Sequence, residues 1–276
     1  MDDQATLLHP NHQTVFEKFV SACQADGRVM AALLVGSYVK GKADAHSDLD
    51  LYVITTDEVY DDFIEERAAF IQQLGEPLFM EDFGLPGIVF LIFPNGAEVE
   101  ISFGRESQLS QIANEPYKVL LDKQNVTSSI IARERQVDYE EQREKLRRLI
   151  YWFWHELSHF ITAMERSQFW WAHGQLGALR LYCINISRLQ NNFSDQEVGN
   201  EGYFKIEQAI PVEQLSALKA TYCQMEASAM LESADIIVRF FRDIAIGLAT
   251  THGITYPERL DKVMFERLKR LQNGHR

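Results

Sequence analysis

The chain has 276 residues, of which 46% are hydrophobic and 24% charged, and its formal net charge is -13 at pH 7. A chain of this length can bury a sizeable core and favours two domains. The acidic balance argues against a broad nucleic-acid surface, because phosphate contacts need clustered lysine and arginine. It is typical of a small-molecule enzyme and would attract a cationic substrate.

Cysteine usage and the N-terminal sequence predict a protein of the reducing cytoplasm. Cys23, Cys183 and Cys223 lie far apart and form no CxxC pair, so neither a disulfide framework nor a zinc knuckle is expected. The stretch MDDQATLLHPNHQ has neither a basic segment nor an apolar one, so no signal peptide is expected. No apolar run approaches the roughly 20 residues that span a bilayer, so no membrane partner is expected.

The N-terminal half alternates predicted helices and strands. Helical spacing of apolar residues predicts a helix over 11–25, and an apolar run predicts a strand over 29–35. A second strand-like run, with acidic residues at alternate positions, precedes a helix over 57–74. Two strands follow, over 87–93 and 97–103, joined by the hairpin turn signal Pro94-Asn95-Gly96.

From about residue 138 the strand signals stop. Helical periodicity predicts helices over 140–165, 169–189, 212–231, 233–250 and 258–271, with a polar loop over 191–202. The predicted fold class is therefore α/β (α+β). A catalytic domain with a mixed β-sheet occupies residues 1–137, and an all-helical bundle domain occupies residues 138–276.

The strongest chemical signal is LLVGSYVKGKADAHSDLDLYVI, which begins at Leu33. Alternate residues of a strand share a face, so Asp48 and Asp50 present two carboxylates together. Adjacent carboxylates repel unless a cation lies between them, and oxygen ligands without a cysteine suit Mg²⁺. Backbone N–H groups and the hydroxyl at Gly36-Ser37 could bind a polyphosphate. The stretch predicts metal-dependent phosphoryl or nucleotidyl transfer.

A third carboxylate is expected from the second strand of the hairpin, which carries Glu98 and Glu100 on one face. The ordinary interpretation of this alternation is an exposed polar face of a half-covered sheet. The functional interpretation is a glutamate facing Asp48 and Asp50 across the sheet. Glu100 is preferred because both of its neighbours are apolar, while Glu98 lies nearer the turn and stays an alternative.

The pattern Gly36-Ser37, a short loop and then Ser47-Asp48-Leu49-Asp50 resembles the nucleotidyltransferase superfamily that includes lincosamide and aminoglycoside antibiotic nucleotidyltransferases. The matching motif covers about twenty residues. The order of elements around it resembles the larger lincosamide enzymes over most of the chain, more loosely in the helical half.

The resemblance implies a role for each matching residue. Gly36 and Ser37 would hold the phosphates of an NTP co-substrate, and Asp48 and Asp50 would bind Mg²⁺. Glu100 would be a metal ligand or the base that deprotonates the acceptor hydroxyl. The nucleotide-binding set of this interpretation is Gly36, Ser37, Lys40 and Ser47, although a lysine in a polar loop such as Lys40 is more often only solvated.

The implied partners are an NTP and a small-molecule hydroxyl acceptor, with no nucleic acid. A lincosamide or aminoglycoside antibiotic is the expected acceptor, which implies a resistance enzyme. The acidic chain suits a cationic aminoglycoside, whereas an aromatic face on the first long helix suits a lincosamide. That face comprises Arg148, Tyr151, Trp152, His155, His159 and Thr162, with Trp170 and Trp171 from the next helix. It either lines an acceptor cleft or packs against neighbouring helices. A homodimer is compatible with the sequence.

Two alternatives belong to other functional classes. The first is a catalytically idle binding module of the same fold, of the toxin–antitoxin type. The second is a zinc hydrolase, because His155-Glu156-Leu157-Ser158-His159 matches the HExxH signature on a predicted helix. The extended form of that signature needs a glycine where Thr162 stands. Glu165 has the spacing of a third ligand, but it would lie on another face of a continuous helix.

Overall fold

The computed structural model describes residues 8–109, 116–130, 138–191 and 202–274. The chain divides into two compact units, Met1–Arg135 and Gln136–Arg276. The first contains a β-sheet and the second is helical, as the predicted fold class requires. None of the described helices is both long and apolar enough to cross a bilayer.

The first unit contains three α-helices and six strands among its described residues. In chain order they are α1 (Pro10–Ala25), β1 (Val29–Leu34), α2 (Gly36–Val39), β2 (Leu49–Thr55), α3 (Tyr60–Gln72), β3 (Phe79–Glu81), β4 (Ile88–Ile92), β5 (Glu98–Arg105) and β6 (Lys118–Asp122). The sheet order is β3-β4-β5-β2-β1-β6. Strands β2 and β5 are parallel, and the other neighbouring pairs are antiparallel.

The central strands are buried because both faces of the sheet are covered. All six residues of β1 are buried, which explains its continuous apolar run. Helices α1 and α3 contribute Phe19, Phe63 and Phe70 to the core on one face. A smaller cluster that includes Leu33 and Ile54 covers the other face. This arrangement fixes the register of β2, since a one-residue slip would move its apolar set from the larger cluster to the face that carries Asp50.

The second unit is built on long helices. The described elements are α4 (Tyr139–Glu165), α5 (Phe169–Asn191), α6 (Ile206–Ala209), α7 (Val212–Lys219), α8 (Ala227–Thr251) and α9 (Glu258–Gly274). The Asp138 side chain caps α4 by accepting hydrogen bonds from the backbone N–H groups of Glu140 and Glu141. In the core, the rings of Phe153 and Phe241 stack with their centroids 3.7 Å apart.

Several predicted boundaries were wrong. The helix predicted over 212–231 is interrupted after Lys219, and α8 begins at Ala227 rather than at 233. The physical reason is a competing set of hydrogen bonds: the carbonyl of Thr221 accepts from Arg180 Nη2 at 3.1 Å and from Ser233 Oγ at 2.5 Å. These contacts hold the chain in a non-helical turn.

Two strands were not predicted. Strand β3 has only three residues, all exposed, so it lacks the apolar alternation that identifies a strand. Strand β6 pairs with β1 and has one exposed and four half-buried residues. Most of the predicted loop over 191–202 lies outside the described residues.

Candidate active site

The Gly36-Ser37 segment follows β1 after one intervening residue, Val35, and begins the single-turn helix α2. Gly36 has a φ of +69°, in the left-handed region that side chains disfavour. A Cβ atom at Gly36 would lie only 1.7 Å from Asp50 Oδ2. The Val35 N–H also donates to the carbonyl of Asp50 at 3.0 Å. Only glycine therefore allows the Asp50 carboxylate to lie against this turn.

Asp50 and Glu100 are direct partners in the parallel ladder between β2 and β5. Asp48 lies one residue before β2, so the prediction that both aspartates lie within the strand was wrong by one position. Asp48 is exposed, whereas Asp50 and Glu100 are half-buried. Glu98 begins β5, is exposed and pairs with Ile92 of β4. The register thus places Glu100, rather than Glu98, beside Asp50.

Burial and neighbouring negative charges perturb the pKa of Glu100 in the acidic set. Burial, followed by the negative charges of Asp50 and Asp48, raises the pKa of Glu100 above its usual value. In the part of the chain described, these three side chains do not form a group with all ligand atoms within 4.8 Å of one another.

The predicted nucleotide-binding residues have different environments. The Ser37 hydroxyl is buried and has no hydrogen-bond partner among the described residues, which is costly unless a ligand supplies one. The Ser47 hydroxyl is used within its own loop, where it accepts from the Asp44 N–H at 2.9 Å. Lys40 is exposed at the end of α2. Of the two predicted serines, Ser37 is therefore the one whose hydroxyl could bind a phosphate.

His12 and Tyr38 were not predicted and lie beside this site. Tyr38, on α2, is buried, and its hydroxyl is 2.7 Å from Nδ1 of buried His12 on α1. Burial lowers the pKa of His12, as does His9, while Asp48 and Glu98 act in the opposite direction. The pair fixes the turn against α1. The available signal was a histidine spaced with Val15 and Phe19 on the apolar face of a helix.

The predicted aromatic face of α4 is exposed rather than packed as core. Trp152 is 51% exposed and Trp170 is 83% exposed. Ring contacts run from Trp152 to His155 (centroids 5.0 Å apart), from His155 to His159 (4.3 Å) and from His159 to Trp171 (5.8 Å). Whether this face lines an acceptor cleft stays a prediction.

A cavity of about 620 Å³ opens beside this face in the helical unit. It is lined by Glu141, Glu144, Lys145, Arg148, Leu149, Trp152 and Tyr182. Glu144 is already paired with Arg147 and Arg148. Glu141 has no ion pair among the described residues, so it is the carboxylate available to a cationic ligand.

The HExxH side chains come together on one face of α4, but Glu165 does not join them. His155, Glu156 and His159 have ligand atoms within 4.8 Å of one another. Glu165 instead contacts Arg267, with 3.4 Å between Oε2 and Nη2. The third ligand of an extended metalloprotease signature is therefore not supplied by Glu165.

Comparison with known proteins gives the class of enzyme. No curated protein sequence matches the chain. Two solved structures that match are an aminoglycoside 6-adenyltransferase from Bacillus subtilis and a CCA-adding enzyme in its apo form I. The first has 16% identity over 96% of this chain and 99% of the other, with a TM-score of 0.41. The second has 10% identity over 97% and 91%, with a TM-score of 0.34.

At these TM-scores neither structure adds to the assignment, which depends on the family match. The sequence profile of the family described as streptomycin adenylyltransferase matches residues 10–271, nearly the whole chain. That match confirms the predicted resemblance to antibiotic nucleotidyltransferases and makes the chain an enzyme, in place of an idle binding module or a zinc hydrolase. The chain belongs to the streptomycin adenylyltransferase family and is a nucleotidyltransferase.

Proposed function

We propose that the protein is a Mg²⁺-dependent adenylyltransferase that transfers AMP from ATP to a hydroxyl of an aminoglycoside, with streptomycin as the first acceptor to test. The observation that carries this proposal is the pairing of Asp50 with Glu100 beside the Gly36-Ser37 turn. Such a modification would inactivate the antibiotic, so the physiological role proposed is antibiotic resistance.

Asp48, Asp50 and Glu100 would hold the metal ion. Their oxygen atoms suit Mg²⁺, and after burial the negative charges of Asp50 and Asp48 contribute to the raised pKa of Glu100. When bound, Mg²⁺ would neutralise charge that develops on the phosphates. The buried Ser37 hydroxyl would donate a hydrogen bond to a phosphate oxygen of ATP.

Glu100 would be either the third metal ligand or the base that accepts the proton of the acceptor. In the transfer, the acceptor oxygen forms a bond to the α-phosphorus of ATP, the bond between that phosphorus and the bridging oxygen breaks, and pyrophosphate leaves. The acceptor proton must go to a base. Burial raises the pKa of Glu100 in the metal-free protein, and a carboxylate with a raised pKa is a better proton acceptor wherever it does not itself bind the metal ion.

The cavity beside Trp152 is the proposed acceptor site of the helical unit. Its volume of about 620 Å³ lies within the usual range for small-molecule pockets, about 300–1,000 Å³. Glu141 would pair with a cationic group of the antibiotic, while Trp152 and Tyr182 would pack against its rings. A second cavity of about 820 Å³ has Glu258 as its one carboxylate and suits a cation less well.

The test is an assay of pyrophosphate release, with mass spectrometry of the product. Purified protein is incubated with Mg²⁺, either ATP or GTP, and streptomycin, other aminoglycosides or lincomycin. An AMP adduct of an aminoglycoside is expected, and it should be absent with Asp50→Asn. Transfer only to lincomycin would replace the aminoglycoside with a lincosamide acceptor, and transfer at the wild-type rate by Asp50→Asn would refute the proposed site.

Binding measurements separate the two substrates. Glu141→Gln should raise KM for the aminoglycoside at least about tenfold, the effect of losing about 1.4 kcal/mol, while KM for ATP stays constant. Glu258→Gln, in the other cavity, is the matched control and should leave both constants unchanged. If Glu258→Gln raises KM for the aminoglycoside and Glu141→Gln does not, the acceptor binds in the second cavity.

A further inference from the structure

The cluster of His155, Glu156 and His159 on α4 is not used by the proposed transfer reaction. It is the one group of three His, Cys, Asp or Glu residues, among those described, whose ligand atoms all lie within 4.8 Å of one another. Glu156 Oε2 is 3.6 Å from His159 Nδ1, longer than a hydrogen bond, and the imidazole rings of His155 and His159 have centroids 4.3 Å apart. The ligand atoms of the three side chains therefore lie close together, but Glu156 and His159 are too far apart to share a hydrogen bond.

We propose that His155, Glu156 and His159 form a binding site for a divalent transition-metal ion such as Zn²⁺, separate from the Mg²⁺ set. Two imidazole nitrogens and one carboxylate oxygen suit Zn²⁺, Co²⁺ or Ni²⁺ better than Mg²⁺, which prefers oxygen ligands. Residues four apart on a helix share a face, so His155 and His159 can bind one ion together. Three protein ligands leave at least one position for water.

The surroundings of the cluster hold its ligands in place. With its amide oriented to satisfy both neighbours, Gln175 on α5 donates to Glu156 Oε2 at 2.7 Å and accepts from Trp171 Nε1 at 3.0 Å. Partners that orient ligands in this way strengthen metal binding. Glu156 and His159 are respectively 18% and 40% exposed, so an ion can enter from solvent.

The helix that carries the ligands is anchored on its opposite side. The intervening Leu157 and the following Phe160 are fully buried in the core of the helical unit. Ligand positions on a packed helix are more constrained than positions on a loop, so less conformational entropy is lost on metal binding. The site also differs from a metalloprotease site. In a metalloprotease the glutamate of the HExxH signature is the base that activates a metal-bound water. Here Glu156 would itself be a metal ligand, so it would not serve as that base.

The experiment measures Co²⁺ and Zn²⁺ binding to the full chain in excess Mg²⁺, which would occupy the acidic set. Visible d–d absorption of Co²⁺ reports nitrogen and oxygen coordination, and displacement by Zn²⁺ gives the Zn²⁺ affinity. One Co²⁺ per chain is expected. Gln175→Ala should weaken Zn²⁺ binding about 10–100-fold, and His155→Ala or His159→Ala by more than Gln175→Ala.

Matched variants make the result specific. His173→Ala removes an exposed histidine from α5 outside the cluster and should leave Zn²⁺ affinity unchanged. Circular dichroism and Tm establish that each variant is folded. The proposal is overturned if His155→Ala and His159→Ala both keep wild-type affinity, or if Cys223→Ser alone abolishes binding. Because the readout is metal binding, it is independent of whether the protein adenylylates an aminoglycoside.

Discussion

Asp50 and Glu100 face each other as direct partners across two parallel strands, although fifty positions separate them in the sequence. Like charges at paired positions destabilise a sheet. Burial and the two aspartates raise the pKa of Glu100 and so favour its neutral form. Two carboxylates at paired positions inside a well-packed sheet are typical of sites that proteins keep for function at a cost in stability.

The first prediction concerns Glu100→Gln. This change removes the carboxyl group and with it the repulsion with Asp50, so the Tm of the metal-free protein should rise. Activity should fall at least about 100-fold, the usual contribution of an acid–base group. Calorimetry in EDTA and in Mg²⁺ measures both states: Mg²⁺ should raise the Tm of the wild type more than that of the variant.

Glu98→Gln is the control for that experiment, since Glu98 is the alternative third carboxylate. It is exposed and does not pair with Asp50. It should keep most of the activity and most of the Mg²⁺-dependent gain in Tm. If Glu98→Gln loses more activity than Glu100→Gln, Glu98 rather than Glu100 is the third carboxylate of the metal site.

The sequence indicated the acidic set but could not decide between Glu98 and Glu100. Alternation shows that two residues share a face, whereas the partner of each depends on the register of β2 and β5, which is set by packing between distant segments. The need for glycine at position 36 could not be predicted for the same reason. The atom that a side chain there would clash with belongs to Asp50, on another strand. Local pattern identified the chemistry, and tertiary pairing determined the geometry.

The errors in the helical half have a similar cause. Helical periodicity continues through Thr221, so the break between the two helices was predicted near residue 232, whereas it lies between Lys219 and Ala227. The interruption depends on Arg180, forty-one positions earlier, whose guanidinium is buried and takes Thr221 as its acceptor. A buried charge needs such a partner, and propensity along the chain carries no information about where it lies.

The second prediction compares two glycines with nearly the same backbone conformation. Gly36 and Gly41 have φ values of +69° and +65°, so alanine at either position should cost about 1–2 kcal/mol of stability. Only at Gly36 would the new Cβ meet Asp50, while at Gly41 nothing lies within 4 Å. Gly36→Ala should therefore also lower kcat about 100-fold, the effect of displacing a reacting group by about 1 Å.

Steady-state kinetics and urea denaturation on both variants test this difference. We expect Gly36→Ala and Gly41→Ala to lose similar amounts of stability. Only Gly36→Ala should have a reduced kcat. Equal reductions in kcat would show that backbone strain, rather than the position of the Asp50 carboxylate, limits the reaction.

The third prediction is a pH dependence of stability that originates at His12. Burial lowers the pKa of His12 in the folded protein below the ordinary value of 6.5. The unfolded chain therefore takes up a proton at higher pH than the folded one. The stabilising contribution is complete above pH 6.5 and is lost as the pH falls through the folded-state pKa.

His12→Asn tests this, because an amide can bond to the Tyr38 hydroxyl without titrating in that range. Urea denaturation from pH 8 to pH 5 should show a shallower loss of stability for the variant than for the wild type. Asp48 and Glu98 favour the protonated ring, so Glu98→Gln should steepen the wild-type curve. Parallel curves for the wild type and His12→Asn would exclude His12 as the source.

The last prediction concerns the turn that separates α7 from α8. Arg180 Nε donates to Thr221 Oγ1 at 2.8 Å, and both residues are buried. Thr221→Val keeps the shape of the side chain but leaves a charged donor without its acceptor. The expected loss is at least about 1–3 kcal/mol, because an unsatisfied buried donor retains its full desolvation cost.

Thr250→Val is the matched control, since the Thr250 hydroxyl donates to the Ile246 carbonyl on the exposed side of α8. It should change stability by less than about 0.5 kcal/mol, as surface substitutions usually do. A double variant with Arg180→Met removes the stranded charge and should recover part of the loss seen in Thr221→Val. If the double variant is as unstable as the sum of its two single variants, the Arg180–Thr221 contact does not hold the turn.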